Sequence, residues 1–167
     1  LIADPTGRNM GGFAFIWGQK QERTQTWYGM FNKDGRATAV IDELTYYWKG
    51  SYPKDRAPQI KSMTLDAKSG TSNIYLKPSE IYTAEIEAYS HENDSLTFEW
   101  KLMREVTERR KGGAREQEPE YVNLEIISKN DKQIQFSAPS EKGEFRLFCY
   151  VYDKEKVANA NIPFMNK

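Results

Sequence analysis

This chain of 167 residues has little of what many ligand sites are built from: one cysteine, one histidine and no excess of charge of either sign. A single cysteine, Cys149, rules out an internal disulfide and leaves too few thiols for a zinc cluster. Lysine plus arginine and aspartate plus glutamate both number 24, so the chain lacks the basic excess that displaces counterions from nucleic acids. We therefore expect no nucleic-acid partner and no cofactor.

Long apolar runs are also missing. None approaches the roughly 18 consecutive apolar residues that span a membrane as a helix, so we expect no membrane span. Aromatic residues, in contrast, are abundant: they make up 13% of the chain, with ten tyrosines and four tryptophans. Aromatic side chains favour β-strands, and their flat faces also stack on sugar rings, so composition alone leaves both interpretations open.

The hydrophobic pattern changes near two prolines, Pro53 and Pro58, which have charged residues between them. Proline restricts the residue before it to extended backbone, which favours a linker. We place the linker at residues 51–58, between an N-terminal segment, residues 1–50, and a C-terminal domain, residues 59–167.

Apolar and polar residues alternate after the linker, most clearly over residues 96–102 and 145–152. Alternation of this kind indicates strands with one face in a core. The predicted strands lie near residues 59–66, 73–76, 81–89, 95–103, 122–127, 132–137, 143–152 and 157–165. Seven to eight short strands separated by turn residues predict a mainly β fold, an immunoglobulin-like β-sandwich. A long polar loop at residues 105–120 interrupts this rhythm.

Two faces are predicted for the strand at residues 143–152. Cys149 faces inward by alternation and is expected to behave as a small buried hydrophobe. Phe148, Tyr150 and Tyr152 project from the outer face, where they form either a sugar-stacking surface or a docking surface covered by a neighbouring element. We favour docking, because an uncovered aromatic stripe is a large apolar patch.

The N-terminal segment has a different pattern. The apolar run at residues 11–18 is bounded by glycines and is typical of a strand buried on both faces. A polar loop, a second apolar piece at residues 26–31 and a turn at residues 32–35 follow. From residue 36 to 48 the apolar residues recur at three- and four-residue intervals, which predicts an amphipathic helix that stops at Gly50.

Residues 11–17, 28–36 and 46–48, taken together, resemble the end of a family 2-type glycoside hydrolase: the last strand and closing helix of its (β/α)8 barrel. Residues 57–60, 95–100 and 143–153 resemble the immunoglobulin-like or PKD-like modules of bacterial polysaccharide-degrading enzymes. The resemblance implies a C-terminal accessory module of a larger, extracytoplasmic enzyme (periplasmic, cell-surface or secreted). Its partners would be carbohydrate, bound by the parent barrel, and the barrel itself within the same chain.

The resemblance also assigns residues. Trp17, or Phe15 if the alignment shifts, would form the aromatic platform of a sugar subsite at the active-site end of the barrel. Gln19, at the same end, would hydrogen-bond to sugar hydroxyls. The two catalytic carboxyls of a retaining glycosidase come from earlier strands, so we expect no catalytic residue here and exclude Glu22. The alternatives are a stand-alone carbohydrate-binding module, which would use the outer aromatic stripe, and a cell-surface interaction module.

Metal binding has weak support in the sequence. Asp94, Asp153 and Glu155 lie on turns that can meet at one end of a sandwich and offer oxygen ligands to calcium, but their spacing gives no EF-hand pattern. We therefore expect no metal site. His91 lies in a polar turn without a recognisable nucleophile, which is typical of a surface histidine.

Without its barrel, the stretch at residues 11–31 lacks strand neighbours. We expect Phe13, Phe15, Trp17 and Trp27 to be exposed unless the stretch pairs with the sandwich or with another copy of the chain.

Overall fold

The structure, a computed structural model, describes residues 6–8, 12–26, 29–107 and 116–167. These residues form one helix, α1 (Ala39–Lys49), and ten strands. The strands are β1 (Gln59–Leu65), β2 (Lys68–Ser69), β3 (Tyr75–Leu76), β4 (Ile81–Tyr89), β5 (Thr97–Arg104), β6 (Tyr121–Val122), β7 (Ile126–Lys129), β8 (Gln133–Ser137), β9 (Gly143–Asp153) and β10 (Lys156–Asn166). Within the described residues, no helix is long and apolar enough to cross a membrane.

The strands form two five-stranded sheets. One has the order β2-β1-β4-β8-β7 and the other β3-β10-β9-β5-β6. Neighbouring strands run antiparallel, except that β3 pairs in parallel with β10. The centre of the second sheet is the hairpin of β9 and β10, which stay in register from Lys156 opposite Asp153 to Asn166 opposite Gly143. The predicted immunoglobulin-like β-sandwich is confirmed.

The main core lies between the two sheets, where the predicted alternation places it. Trp100 and Leu102 of β5 face Ile134 and Phe136 of β8 across the layer with other buried residues of both sheets. The inward residues of β9 join the same core; they are Phe145, Leu147, Cys149 and Val151. Period-two patterning therefore locates the core correctly, because one face of each strand is apolar.

Two strand predictions need correction. The predicted strand at residues 122–127 is divided: β6 pairs with β5 in one sheet, while β7 pairs with β8 in the other. The chain thus changes sheets within four residues, and hydrophobic pattern carries no signal for such a crossing. The predicted strand at residues 73–76 shortens to β3, and β2 was not predicted because it is a two-residue pairing on an exposed edge.

The predicted strand at residues 11–18 is not formed over residues 12–18, which have no regular structure. A strand buried on both faces needs a hydrogen-bonded neighbour on each side, and among the described residues no strand pairs with residues 12–18. The turn at residues 32–35 is present: the amide of Gly35 donates to the carbonyl of Asn32 at 2.9 Å.

Helix α1 begins three residues later than predicted and stops where Gly50 was expected to end it. Gly50 adopts φ of 75°, and its amide donates to the carbonyl of Tyr46 at 2.8 Å. Glycine reaches this left-handed conformation without steric cost, which makes it the common residue at helix ends.

The helix is attached to the sandwich by charge. Asp42 is its one fully buried residue; its Oδ2 accepts the amide of Ala57 at 2.7 Å and its Oδ1 lies 2.5 Å from Nζ of Lys156. The same Nζ also donates to the carbonyl of Asp55. One buried ion pair therefore ties α1, the linker and β10 together.

Removing the charge of Asp42 should destabilise the chain strongly. We expect Asp42→Asn to lower the free energy of unfolding by about 3–5 kcal/mol, because the ammonium of Lys156 then stays buried without a counter-ion. Urea denaturation measures the difference. Glu87→Gln is the matched control: it breaks an ion pair with Lys61 that is half exposed on both sides, and should cost about 1 kcal/mol or less. Equal losses in the two variants would contradict a structural role for Asp42.

Burial of Cys149 should make stability depend on pH in the alkaline range. Burial raises the pKa of its thiol from 9.0 to about 12, so unfolding between those values releases a proton and the free energy of unfolding falls as pH rises above about 9. Below that pH the thiol is protonated in both states and has no effect. Between about pH 8 and pH 10, Cys149→Ala should show a shallower decline than the wild type. Identical slopes would mean that the thiol is accessible when folded.

Candidate functional site

The outer face of β9 is covered by the N-terminal segment. Phe148 and Tyr150, which were predicted to point outward, are 1% exposed. With Met103 of β5 and Val157 of β10 they form a second buried cluster, separate from the core between the sheets. Strand β9 is therefore buried on both faces.

The three aromatic rings on this face form a column. Phe148 stacks with Tyr150 at a centroid distance of 6.1 Å, and Tyr150 stacks with Tyr152 at 6.4 Å. The ammonium of Lys101 lies 5.1 Å from the Tyr150 ring, close enough for a cation–π interaction.

The cover is fixed by polar contacts from the N-terminal segment. Nε2 of the buried Gln25 donates to Oη of Tyr150 at 2.6 Å and to Oη of Tyr121 at 2.8 Å. Next to it, the amide of Arg23 donates to the carboxylate of Glu116 at 2.7 Å. These bonds join the segment to the central strand and to the end of the long polar loop.

The far end of the column is closed by Arg36. Its guanidinium lies 5.0 Å from the centre of the Tyr152 ring, and its Nη1 donates to the carbonyl of Lys154 at 2.5 Å. Tyr152 itself donates to Glu99 at 2.7 Å. Next to Arg36, the carbonyl of Ala37 accepts a hydrogen bond from the amide of Val157 at 3.0 Å. This bond belongs to a single parallel bridge between Ala37 and Lys156 of β10.

Burial changes the ionisation of both tyrosines. It raises the pKa of Tyr150 well above the usual range, an effect that the Gln25 amide offsets only in part. It also raises the pKa of Tyr152, and the hydrogen bond to Glu99 adds to that rise. Phe148 and Tyr150 have no ring face open to solvent in this structure.

The aromatic residues assigned to a sugar subsite, and their neighbour Phe13, are exposed. Phe13 is fully exposed, and Phe15 and Trp17 are each 69% exposed. The Trp17 ring meets Phe31 edge to face at a centroid distance of 5.1 Å, and Gln19 is half-buried. Glu22 pairs with Lys20 at 2.9 Å. Trp27 lies outside the described residues.

An open groove of about 620 Å³ connects this stretch to helix α1. Phe15 and Ile16 line one side, and Val40 and Leu44 line the other. The predicted apolar face of the helix is only partly buried: Ile41 and Leu44 are half-buried, whereas Val40, Tyr47 and Trp48 are exposed. Exposed residues 12–15 and 17 and this helix face thus form neighbouring apolar surfaces.

At one end of the sandwich the structure brings four carboxylates together: Asp55, Glu92, Asp94 and Asp153. Their ligand oxygens lie within 4.8 Å of one another. Two of them, Asp94 and Asp153, are among the residues whose turns the sequence allows to meet, although we expected no metal site. Glu155, the third residue considered, is exposed and outside the group, because it occupies the solvent side of the two-residue turn between β9 and β10.

Burial raises the pKa of Asp153, the nearby Ser90 hydroxyl lowers it in part, and the negative charges of Asp94 and Asp55 raise it further. Asp55 and Glu92 escape sequence reasoning because one belongs to the linker and the other to the turn before β5. Only the turn signal around residues 92–94 was visible. Nothing local marks Asp55 as a neighbour of the others.

The contact between Gln25 and Tyr150 can be measured as a coupling energy. We expect Gln25→Ala combined with Tyr150→Phe to deviate from additivity by about 1 kcal/mol, because each single change removes the same buried hydrogen bond. The control cycle combines Gln25→Ala with Tyr82→Phe, whose hydroxyl bonds the Lys77 amide on the other sheet, and should be additive within about 0.5 kcal/mol. Additivity in both cycles would mean that Gln25 does not cover β9.

No protein-family model matches this chain, and no curated protein is detectably similar to it. Among solved structures it is similar to a DUF4784 family protein from Bacteroides caccae ATCC 43185, with 11% identity and a TM-score of 0.33. That match covers 64% of this chain and 24% of the other, so this chain spans about a quarter of that protein.

Two titin structures are also similar. Titin M4 has 11% identity and a TM-score of 0.36 over 69% of this chain and 100% of its own. A chimeric titin Z1Z2 has 13% identity and a TM-score of 0.35 over 69% and 98%. Similarity at this level carries no inference about function or family.

Proposed function

We propose that this chain is the C-terminal accessory part of a larger glycoside hydrolase. In this arrangement the sandwich stabilises and spaces a (β/α)8 barrel whose last strand and closing helix are residues 1–50. The parent hydrolyses glycosidic bonds of a polysaccharide outside the cytoplasm, with two carboxylates from its earlier strands. The chain itself is not catalytic, since a complete barrel of this type needs about 200 residues or more.

The observation that carries the proposal is an unequal distribution of aromatic side chains. The sandwich core is closed, and the outer face of β9 is covered. Yet Phe13 and Trp17 on one stretch, and Tyr47 and Trp48 on the neighbouring helix, are more than half exposed. Exposed large aromatic side chains on two neighbouring elements favour an interface.

The occupant we assign to this interface is the rest of the barrel. In a (β/α)8 barrel the last strand needs strands on both sides, and the closing helix packs its apolar stripe against the sheet. Residues of the stretch at 12–17 and of α1 line the same groove, but the stretch forms no strand and much of the helix stripe is exposed. A barrel would supply the missing neighbours to both.

The first alternative, a stand-alone carbohydrate-binding module, rests on the stripe of Phe148, Tyr150 and Tyr152. A sugar ring needs an open aromatic face about its own size. In this structure Gln25 and Arg36 hold the N-terminal segment over that face. The proposal therefore assigns the stripe to internal docking and carbohydrate contact to Trp17.

The proposal is tested by the coding sequence upstream of Leu1 and by the activity of the longer protein. We expect seven alternating strand–helix units upstream, with a glutamate at a strand end some 30–60 residues before Leu1, as the resemblance implies, and hydrolysis of polysaccharide or aryl glycosides. Trp17→Ala in that longer enzyme should lower kcat/KM by about tenfold or more, because losing a stacking platform of about 1.4 kcal/mol has that effect.

Trp48→Ala is the matched control, since it removes an equally exposed indole from the helix rather than from the subsite. It should leave KM unchanged and affect only stability. An upstream sequence without strand–helix units would refute the accessory role. Full activity of Trp17→Ala would refute the subsite assignment.

A further inference from the structure

The acidic group at the end of the sandwich is unusual because its members come from three separate segments. Asp55 belongs to the linker, Glu92 and Asp94 to the turn between β4 and β5, and Asp153 ends β9. Their oxygens lie within 4.8 Å of one another, so four negative charges are held at distances where like charges repel strongly.

A second observation is independent of the clustering. Asp153 is 1% exposed, and neither of its carboxylate oxygens has a hydrogen bond of normal geometry; the Ser90 hydroxyl and the Lys154 ammonium favour its charged form only in part. Oδ1 of Asp55 is also buried without a hydrogen bond. Buried carboxylate oxygens in proteins almost always have hydrogen-bond donors or coordinate a metal. Buried carboxylate oxygens of this kind, within a group of four acids, indicate a further positive partner.

The basic groups nearby fill this role only in part, because the ammonium of Lys154, which is attracted by Asp94, Asp55 and Asp153, is one charge against four carboxylates. Nζ of Lys154 lies 2.7 Å from Oδ2 of Asp94, on an exposed side chain. Nζ of Lys156 is engaged by Asp42 and by the carbonyl of Asp55. The guanidinium of Arg56 lies 3.8 Å from the centre of the Tyr52 ring. Its Nη1 is 3.4 Å from Nδ1 of His91.

We propose that Asp55, Glu92, Asp94 and Asp153 bind one calcium ion. Calcium takes six to eight oxygen ligands at about 2.3–2.6 Å, so two oxygens on the same ion lie up to about 5 Å apart, which matches the observed spread. Magnesium demands octahedral geometry at about 2.0–2.1 Å, which is tighter than this group. The group contains no imidazole or thiolate, the ligands that favour zinc.

The acids are held in place before any ion arrives. The carbonyl of Asp55 is fixed by Lys156. The hydroxyl of Ser90 accepts the amides of Glu92 and Asp94 at 3.1 and 3.2 Å, which sets the turn. Asp153 is paired with Lys156 in the β9–β10 ladder. Calcium bound here would join the linker to both turns and so fix the N-terminal segment on the sandwich.

The test compares thermal unfolding of the chain in EDTA with unfolding in calcium chloride. At a calcium concentration about 100 times the dissociation constant, the melting temperature of the wild type should rise by about 5–10 °C. Calorimetric titration with calcium chloride should give about one ion per chain, and magnesium chloride should bind at least tenfold more weakly.

Asp153→Asn should abolish the calcium-dependent rise while melting in EDTA at the wild-type temperature or higher, because it removes a buried unpaired charge. Glu92→Gln, at an exposed position, is a second variant whose folding is not at risk, and it should weaken calcium binding at least several-fold. Glu155→Gln, the matched control two residues after Asp153, should respond as the wild type does. The proposal is overturned if calcium does not shift wild-type unfolding, if magnesium binds as tightly, or if Asp153→Asn keeps the full shift.

Discussion

The structure depends on covering both faces of β9. Its inward residues form the core between the sheets. Its outward residues Phe148 and Tyr150 also have large apolar rings, and these are buried in the second cluster. An immunoglobulin-like sandwich normally leaves the outer face of each sheet to solvent, which the alternation of polar residues allows. Here the outer face of one sheet needs a cover, and residues of the N-terminal segment provide it. Hydrogen bonds and a cation–π contact from Gln25 and Arg36 consequently tie the segment to the sandwich, although the linker separates them in sequence.

The cover is attached mainly through polar groups, and this determines what remains exposed. Gln25, Arg36 and Asp42 each place an amide or charged group against the sandwich. An amphipathic helix normally turns its apolar stripe to the core, but α1 turns Asp42 inward and leaves Tyr47 and Trp48 outside. A buried aspartate is tolerated because Lys156 and the Ala57 amide satisfy it. Because Tyr47 and Trp48 of the helix are exposed, a further apolar partner is physically reasonable.

The sequence predicts the sandwich well because strand patterning is local. The bounds of β4, β8, β9 and β10 agree with prediction to within one residue at most positions, since each strand has its own apolar face. The failures involve tertiary context. The stretch at residues 11–18 has the composition of a buried strand, but a strand also requires neighbours, and no local pattern reports their absence.

In the candidate sites, too, local pattern predicts some features and tertiary contacts determine the others. The outward direction of Phe148, Tyr150 and Tyr152 follows from alternation, while their cover does not, because Gln25 is separated from Tyr150 by 125 positions. Asp94 and Asp153 were recognisable as residues of turns at one end of a sandwich. Asp55 was not, since its position depends on how the linker crosses that end.

These features converge on Lys156. Its ammonium holds the carboxylate of Asp42 and the carbonyl of Asp55, so one cation positions both the helix and the first acid of the carboxylate group. Because the helix and the linker are fixed at this point, the direction in which Tyr47 and Trp48 face is set by charges at the end of the sandwich rather than by apolar packing. Charge-assisted hydrogen bonds are more sensitive to geometry than apolar contacts. The contacts of Lys156 therefore fix the orientation of α1 relative to the sandwich. The proposed role as a spacer for a barrel requires a linker that fixes the orientation of the N-terminal segment. A flexible proline-containing connection alone would not fix it.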